Sequence, residues 1–150
     1  MVESAKKRSA KAGGFRDLNV WHRASDIAVE IYSLTASFPD GERYGLASQM
    51  RRCSVSISSN IAEGYGRQTP LDFAKFLRIS RGSAFELLSQ VILATRLGYL
   101  RDADCCALET RINSVVAQLN GLIKFQSSRV EEESSVYEIS DPHNSDEPSQ

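Results

Sequence analysis

Residues 69–98 read TPLDFAKFLRISRGSAFELLSQVILATRLG, and this stretch determines the fold class. Thr69 can cap a helix with its hydroxyl, the proline after it fits the first helical position, and Asp72 favours the positive end of the helix dipole. Gly98 stands where a left-handed residue commonly follows a helix. Between these signals, one helical face recurs in steps of four and three: Phe73, Leu77, Ser80, Ala84, Leu87, Val91 and Ala94. We therefore predict one long helix over about Pro70–Leu97.

Three other segments have the same helical spacing, and no segment alternates like a strand for long. The first helix is predicted to begin with Asn19 as its cap and to stop at Pro39, because proline disfavours a helical predecessor. The second is predicted over about Leu46–Tyr65, with Gly66 as a left-handed terminator. The fourth is predicted to begin with Asp102 as its cap.

The connections between these helices are short, at about 39–45, 66–69 and 98–102. Short connections make sequential helices antiparallel neighbours. The sequence therefore predicts an all-α fold, an antiparallel up-down-up-down four-helix bundle over residues 14–126.

Charge is unevenly distributed, although 18 Lys and Arg nearly balance 19 Asp and Glu over the 150 residues. Residues 1–13 carry four basic residues and one acidic residue, whereas residues 127–150 carry seven acidic residues and one basic residue. The middle, 14–126, holds 13 basic and 11 acidic residues. Both ends have too little apolar surface to offset their ordering entropy. We predict a disordered basic tail over 1–13 and a disordered acidic tail over 127–150.

The cellular location follows from cysteine usage and from apolar runs. Three cysteines, two of them adjacent, cannot form a disulfide framework, which favours a reducing compartment. No run approaches the roughly 18 apolar residues of a membrane span, and the N-terminus lacks the apolar stretch of a secretory signal. We expect a cytoplasmic protein without membrane contact.

Catalytic and metal sites have little support. The two histidines, His22 and His143, do not occur in the Glu-x-x-His pattern of di-iron bundles. Cys53 lies on an apolar helical face with no histidine nearby to act as a base. No Walker or dinucleotide-binding glycine pattern occurs. We expect no enzyme activity, no catalytic residues, no metal and no cofactor.

Polar residues form two stripes at helical spacing. Those on the second helix are Arg52, Ser56, Asn60, Glu63 and Arg67, and those on the third are Lys75, Arg78, Gly82 and Glu86, with Arg81 beside them. In one interpretation, a polar network fixes the register of helices or subunits, through Ser56, Asn60, Glu63, Gly82 and Glu86. In the other, basic side chains contact phosphate or a partner: Arg51, Arg52, Arg67, Lys75, Arg78 and Arg81. Arginine suits both interpretations.

Gly82 is unusual because a glycine inside a helix costs about 1 kcal/mol relative to alanine. Small residues surround it, which indicates either close packing of helices within the bundle or a contact surface for another subunit. Several aromatic residues also fall off the predicted apolar faces and suggest burial against a partner: Phe15, Tyr65, Phe76, Phe85 and Tyr99.

Four segments closely resemble the bacterial four-helix bundle protein family, whose members include proteins encoded in intervening sequences of large-subunit ribosomal RNA genes. The segments are FRDLNVWHRA (15–24), TASFPDGERYGLASQMRR (35–52), SISSNIAEGYGR (56–67) and FLRISRGSAFEL (76–87). The resemblance implies a bundle protomer that assembles as a homopentamer. It further implies similarity to accessory proteins of diversity-generating retroelements, which bind reverse transcriptase and nucleic acid, and it implies no enzyme activity. The acidic C-terminal segment lies outside the family pattern.

Two functions remain open at this point. The first is a non-enzymatic oligomeric bundle that binds RNA, DNA or a nucleic-acid enzyme through the six basic residues named above. The second is a protein-interaction scaffold without nucleic-acid binding, whose polar stripe serves subunit assembly.

Overall fold

Four long helices and no strand make up residues 13–140, the part of the chain that the computed structural model describes. They are α1 (Asn19–Thr35), α2 (Leu46–Gly66), α3 (Pro70–Arg96) and α4 (Asp102–Ser140). Short 3-10 helices, Phe15–Asp17 and Asp40–Glu42, precede α1 and α2. Each helix packs on the next in sequence, and α1 packs on α4. The predicted all-α four-helix bundle is confirmed.

The core lies along the bundle axis and receives apolar side chains from all four helices. Its largest fully buried members are Ile27, Ile31, Met50, Ile57, Ile61, Leu77, Leu87, Val91, Leu108, Ile112, Val115 and Leu119. The face predicted for α3 is confirmed, since every residue named for it is buried. Truncating one such leucine or isoleucine to alanine costs about 2–5 kcal/mol, because it removes apolar contacts and leaves a cavity.

The start of α3 and the turn after it follow the sequence signals. The Thr69 hydroxyl accepts a hydrogen bond from the Asp72 N–H at 3.1 Å, so Thr69 is the N-cap, and Pro70 is the first helical residue. Gly98 follows the helix with a φ of +81°. These predictions are confirmed, and both ends of α3 are stabilised by local interactions.

α1 and α4 begin at Asn19 and Asp102, the residues at which the sequence predicted their starts, but the predicted capping role of these residues is wrong because both are already helical. Leu18 precedes α1 as its cap without a side-chain hydrogen bond, and Asn19 is already helical. Similarly, α4 begins at Asp102, and the Cys105 N–H bonds to the Arg101 carbonyl at 3.0 Å. Partly buried Leu18 packs against the core, so packing rather than a capping side chain determines where α1 begins.

Two predicted helix ends also differ from the structure. α1 ends at Thr35, before Pro39, although Phe38 still reaches the core from the connection. Gly66 is helical, and Gln68 takes the positive φ, at 63°. Asparagine or glycine is the usual residue at such a position, so the sequence did not mark Gln68 as the terminator.

Four of the five aromatic residues expected to need a partner pack within the chain. The ring pairs are Phe15 with Trp21 at 5.0 Å, Phe38 with Tyr99 at 5.4 Å, and Tyr65 with Phe73 at 5.9 Å. Phe76 is partly buried beside Gly64. These four are partly buried within the chain, whereas Phe85 is 52% exposed, and burial of aromatic side chains against a partner stays a prediction.

The C-terminal boundary of the bundle differs from the prediction. α4 has 39 residues and continues through Ser140, so residues 127–140 are helical rather than a disordered tail. A helix that the bundle has already nucleated can propagate into a sequence rich in glutamate, which favours helix. Residues 1–12 of the predicted basic tail and residues 141–150 of the acidic tail lie outside the described residues.

Candidate nucleic-acid interface

A polar groove separates α2 from α3 on the outside of the bundle. The Ser56 and Ser83 hydroxyls lie 2.9 Å apart, and the Asn60 amide donates to the Ser56 carbonyl at 2.8 Å. Deeper in the contact, the buried Ser80 hydroxyl donates to the Ile57 carbonyl at 2.8 Å. The Ser56–Ser83 and Ser80–Ile57 bonds join α2 to α3 and hold the two helices in register, whereas the Asn60 bond lies within α2.

Arg52 and Glu86 line this groove together, as expected for antiparallel neighbours. Both side chains are exposed, and no ion pair joins them in the described chain. The predicted network therefore consists here of hydrogen bonds between neutral groups. The charged residues at the rim of the groove take no part in it.

Gly64, rather than Gly82, is where helices approach closely. A Cβ at Gly64 would lie 2.6 Å from the Phe76 Cβ, whereas a Cβ at Gly82 would meet nothing within 4 Å. The interpretation of Gly82 as a site of close packing inside the bundle is wrong. Gly82 is exposed on the outer face of α3, and its alternative interpretation as a contact for another subunit stays a prediction.

The six basic residues predicted to form one surface are divided among several places. Arg51 faces α1, where its Nε donates to the Thr35 hydroxyl at 2.8 Å and its guanidinium lies over the Tyr32 ring at 4.9 Å. Arg52 lies at the α2–α3 groove, one helical position and about 100° away. Arg51 and Arg52 therefore serve different faces.

Arg67 is partly neutralised by its own helix. Its guanidinium donates to Glu63 at 3.1 Å and lies over the Phe76 ring at 5.2 Å. Both partners of the ion pair are about half exposed, so the pair contributes little to stability. The carboxylate nevertheless reduces the positive potential at this end of α2.

Arg78 and Arg81 reach across from α3 to α4. Arg78 donates to the Ser127 hydroxyl at 3.2 Å, and Arg81 donates to the Asn120 side-chain carbonyl at 2.9 Å. Lys75, three residues before Arg78, shares its side of α3. The structure thus brings three of the six predicted residues together along the α3–α4 contact.

Lys124 belongs to the same place, although sequence reasoning did not select it. It lies four residues after Asn120 and three before Ser127, which places it on the α4 stripe that receives the two arginines. A search for basic residues on every pair of neighbouring helices could have found it. We call Lys75, Arg78, Arg81 and Lys124 the seam surface.

The seam surface carries its charge without carboxylate partners. The ion pairs of the described chain all involve other cations: Arg67–Glu63, Arg101–Asp104, Arg111–Glu30 and Arg129–Glu133. The seam arginines bind neutral oxygens instead, which orients the guanidinium groups while leaving their charge uncompensated. This arrangement suits an anionic partner.

Cys53 is a buried thiol in the contact between α2 and α3. Burial, and secondarily the nearby Glu86 carboxylate, raises the pKa of the Cys53 thiol to about 12. A thiol with a raised pKa is a poor nucleophile at neutral pH. Among residues 13–140, no group of three or more His, Cys, Asp or Glu side chains is placed to hold a metal ion. None of the described helices is long and apolar enough to cross a membrane.

Comparison with known proteins identifies the family. The model of the 23S rRNA-intervening sequence protein family matches residues 16–121. The chain belongs to this family. The match covers α1, α2, α3 and the first half of α4. Of the seam surface, Lys75, Arg78 and Arg81 lie inside the match and Lys124 lies outside it.

A solved structure from the S23 ribosomal protein family supports the fold. It is a protein of unknown function from Bacteroides thetaiotaomicron, with a TM-score of 0.65 and 24% sequence identity. The likeness covers 70% of this chain and 95% of that one. No curated protein matches the chain described here.

Proposed function

We propose that this protein is a non-enzymatic, oligomeric helical bundle that binds nucleic acid through its seam surface. A nucleic-acid enzyme such as a reverse transcriptase is a further partner, because the resemblance implies one for the family. The observation that carries the proposal is the pairing of Arg78 and Arg81 with neutral Ser127 and Asn120. Two oriented guanidinium groups and two lysines then face outward without carboxylates in ion-pair contact.

The magnitude of the expected interaction follows from counterion release. Four phosphate contacts to a single strand give a slope of about −3 for log affinity against log salt concentration. One protomer therefore binds weakly at physiological salt. In an oligomer, several seam surfaces on one strand raise the affinity through a high effective concentration.

The decisive experiment uses a triple variant, Lys75→Gln, Arg78→Gln and Arg81→Gln. We expect its affinity for a fluorescein-labelled 20-nucleotide single-stranded RNA to fall at least tenfold, measured by fluorescence anisotropy at 50 mM salt. The salt slope should also decrease in magnitude by about two, because three phosphate contacts are lost.

The matched control removes the same charge elsewhere, as Arg16→Gln, Arg43→Gln and Arg101→Gln, all on exposed residues. Its affinity should stay within about threefold of the native protein, since general screening alone changes. Equal losses in both triple variants, or binding that is insensitive to salt, would contradict the proposal.

The second candidate is a protein-interaction scaffold without nucleic-acid binding, and the α2–α3 groove favours it. Arg52 and Glu86 line this groove without pairing with each other, so the corresponding residues of a second copy can pair with them. The number of subunits, five, is taken from the resemblance. If this pair is buried on assembly, removing one partner destabilises the assembly by about 3–5 kcal/mol.

The scaffold predicts that Arg52→Ala and Glu86→Ala each dissociate the oligomer, as followed by sedimentation velocity. Arg101→Ala, which removes a surface arginine paired with Asp104, serves as the control and should leave the oligomer intact. An oligomer that persists in both groove variants would exclude this use of the polar stripe.

We also place the protein in the cytoplasm. Cys53, Cys105 and Cys106 are free thiols, a state that a reducing compartment maintains. Localisation of a fluorescent fusion tests this directly, and recovery in a membrane or periplasmic fraction would contradict it.

A further inference from the structure

The last part of α4 extends beyond the bundle. Gln126 and Arg129 line one cleft together with Thr69 and Pro70, so α4 passes the start of α3 at this level. From there the helix continues to Ser140, and every side chain from 131 to 138 is exposed. We call residues 130–140 the overhang.

The overhang is acidic and has apolar side chains as well. Its carboxylates are Glu131, Glu132, Glu133 and Glu138, and Val136 is 64% exposed. Because the side chains from 131 to 138 are exposed, tertiary packing within the described chain contributes little to this segment. Such a segment is stabilised when another surface packs against it.

The outer face of α3 supplies a surface of the opposite character. Exposed residues follow one another along this helix in steps of four and three, which is the spacing of a helix–helix seam: Leu71, Lys75, Arg78, Gly82, Phe85, Ser89, Ile92 and Arg96. Phe85 and Ile92 are 52% and 42% exposed. The stripe therefore combines basic side chains with apolar ones.

Gly82 lies at the middle of this stripe and has no packing role within the chain. A Cβ there would meet no atom within 4 Å, and no hydrogen bond or turn requires a glycine in the helix interior. Glycine at a helix surface allows the backbone of a second helix to approach closely. The stripe is thus shaped for a helix that lies outside the described protomer.

We propose that the overhang of one copy packs along the outer face of α3 in a second copy. The charges complement each other, since the glutamates at 131–133 meet Lys75 and Arg78 while Val136 meets the apolar patch around Phe85, a stretch of α3 about as long as the overhang. The contact forms only between copies, because α4 is one unbroken helix and carries its own overhang away from its own α3. It joins two different surfaces, so it is heterologous and generates a ring or a chain of protomers.

Lys75 and Arg78 also belong to the seam surface, so a packed overhang and nucleic acid compete for these two residues. The test of the overhang contact is therefore made without nucleic acid. Cysteine is introduced at Val136 in one copy and, one position at a time, at Gly82, Phe85 or Ser89 in a second copy that carries a size tag. Cys105 and Cys106 are replaced by serine in both, while buried Cys53 is kept because its thiol is unreactive. Mild oxidation of the mixture then traps copies whose cysteines come within disulfide distance.

We expect a cross-linked heterodimer on a non-reducing gel for at least one α3 position. Its rate of formation should exceed that of the control pair, Val136→Cys with Val29→Cys, by at least tenfold. Val29 is 72% exposed but lies on α1, away from the stripe. Equal rates at all positions would show that α3 serves another occupant, such as nucleic acid or a different protein, and would overturn the proposal.

A charge exchange tests the same contact independently. Glu131→Lys, Glu132→Lys and Glu133→Lys in the overhang should slow cross-linking at least tenfold. Lys75→Glu and Arg78→Glu in the receiving copy should restore it, because opposite charges meet again. Circular dichroism checks that each variant is folded. If the variants are folded and cross-linking is not restored, the proposal is also overturned. RNA binding by the seam surface is measured separately, so either proposal can fail alone.

Discussion

Glu42 connects three parts of the bundle through one carboxylate. One oxygen accepts the Leu46 N–H at 2.9 Å at the start of α2, and the other accepts the Tyr99 hydroxyl at 3.2 Å after the end of α3. Burial, together with this hydrogen bond to Glu42, raises the pKa of Tyr99. The sequence did not point to Glu42, because it lies in the connection and precedes α2 by four residues rather than by one.

We expect Glu42→Ala to lower the free energy of unfolding by about 1–2 kcal/mol. The variant leaves a helix N-terminal N–H without its acceptor and removes a negative charge near the positive end of the helix dipole. Urea denaturation followed by circular dichroism measures the change. Asp40→Ala, an exposed carboxylate in the same 3-10 helix, is the control. Equal losses in the two variants would contradict a capping role for Glu42.

We expect Cys53 to be the unreactive thiol of the three. Its pKa of about 12 lowers the thiolate fraction at pH 8 by roughly a thousandfold relative to an ordinary cysteine. Reaction with a thiol reagent should therefore show two fast thiols in the folded protein and a third only in denaturant. Since the pKa is raised in the fold, the stabilising contribution is present below the ordinary thiol pKa and is lost as pH rises toward 12. Three fast thiols would contradict this.

At the scale of elements, α2 and α3 form the closest helix pair of the bundle. Gly64 lies against Phe73 and Phe76, and the serines of the polar groove bridge the two helices further along. The sequence indicated that small residues gather on both helices. Which glycine permits the approach depends on the rotation of each helix about its axis, and this rotation is set by burying the core face.

Gly64→Ala and Gly82→Ala should have effects of opposite sign. We expect Gly64→Ala to lower the free energy of unfolding by about 1–3 kcal/mol, because its Cβ would overlap Phe76. Gly82→Ala meets open space and should raise the free energy of unfolding by about 0.5–1 kcal/mol through helix propensity. Thermal and urea unfolding of the two variants provide the measurement. Destabilisation by Gly82→Ala in the monomer would contradict the position assigned to Gly82.

At the scale of the whole molecule, charge is separated along the bundle. The basic seam surface lies on the first half of α3 and beside it on α4, whereas the overhang places carboxylates beyond the end of the bundle where α3 starts. This separation is possible because α4 is a continuous helix that extends past the start of α3. It keeps acidic and basic groups of one copy apart and leaves both available to other molecules.

A chain that ends at residue 129 tests this arrangement. At protein concentrations below those at which copies assemble, we expect its free energy of unfolding to stay within about 1 kcal/mol of the full chain, because the side chains from 131 to 138 are exposed. At the same concentrations we expect its affinity for single-stranded RNA to rise several-fold, because repulsion between phosphate and carboxylate is removed. Denaturation and anisotropy measure the two effects. Weaker RNA binding by the shortened chain would contradict competition between the acidic segment and phosphate.

Local signals in the sequence determined the four helices, their antiparallel order and the core. Apolar residues at helical spacing can be buried only by packing such helices together, and Thr69, Pro70 and Gly98 mark the ends of α3 through short-range interactions. The starts of α1 and α4 were predicted correctly, but Asn19 and Asp102 are helical rather than caps, and Gln68 rather than Gly66 takes the left-handed conformation.

Only the tertiary structure decided which polar residues share a surface. Arg51 and Arg52 are adjacent in sequence yet face α1 and the α2–α3 groove, whereas Arg81 and Asn120 are far apart in sequence and meet across the α3–α4 contact. Long side chains reach partners on a neighbouring helix, and that partner depends on the rotation and offset of both helices. These quantities are set jointly by the whole core, so no single segment contains them.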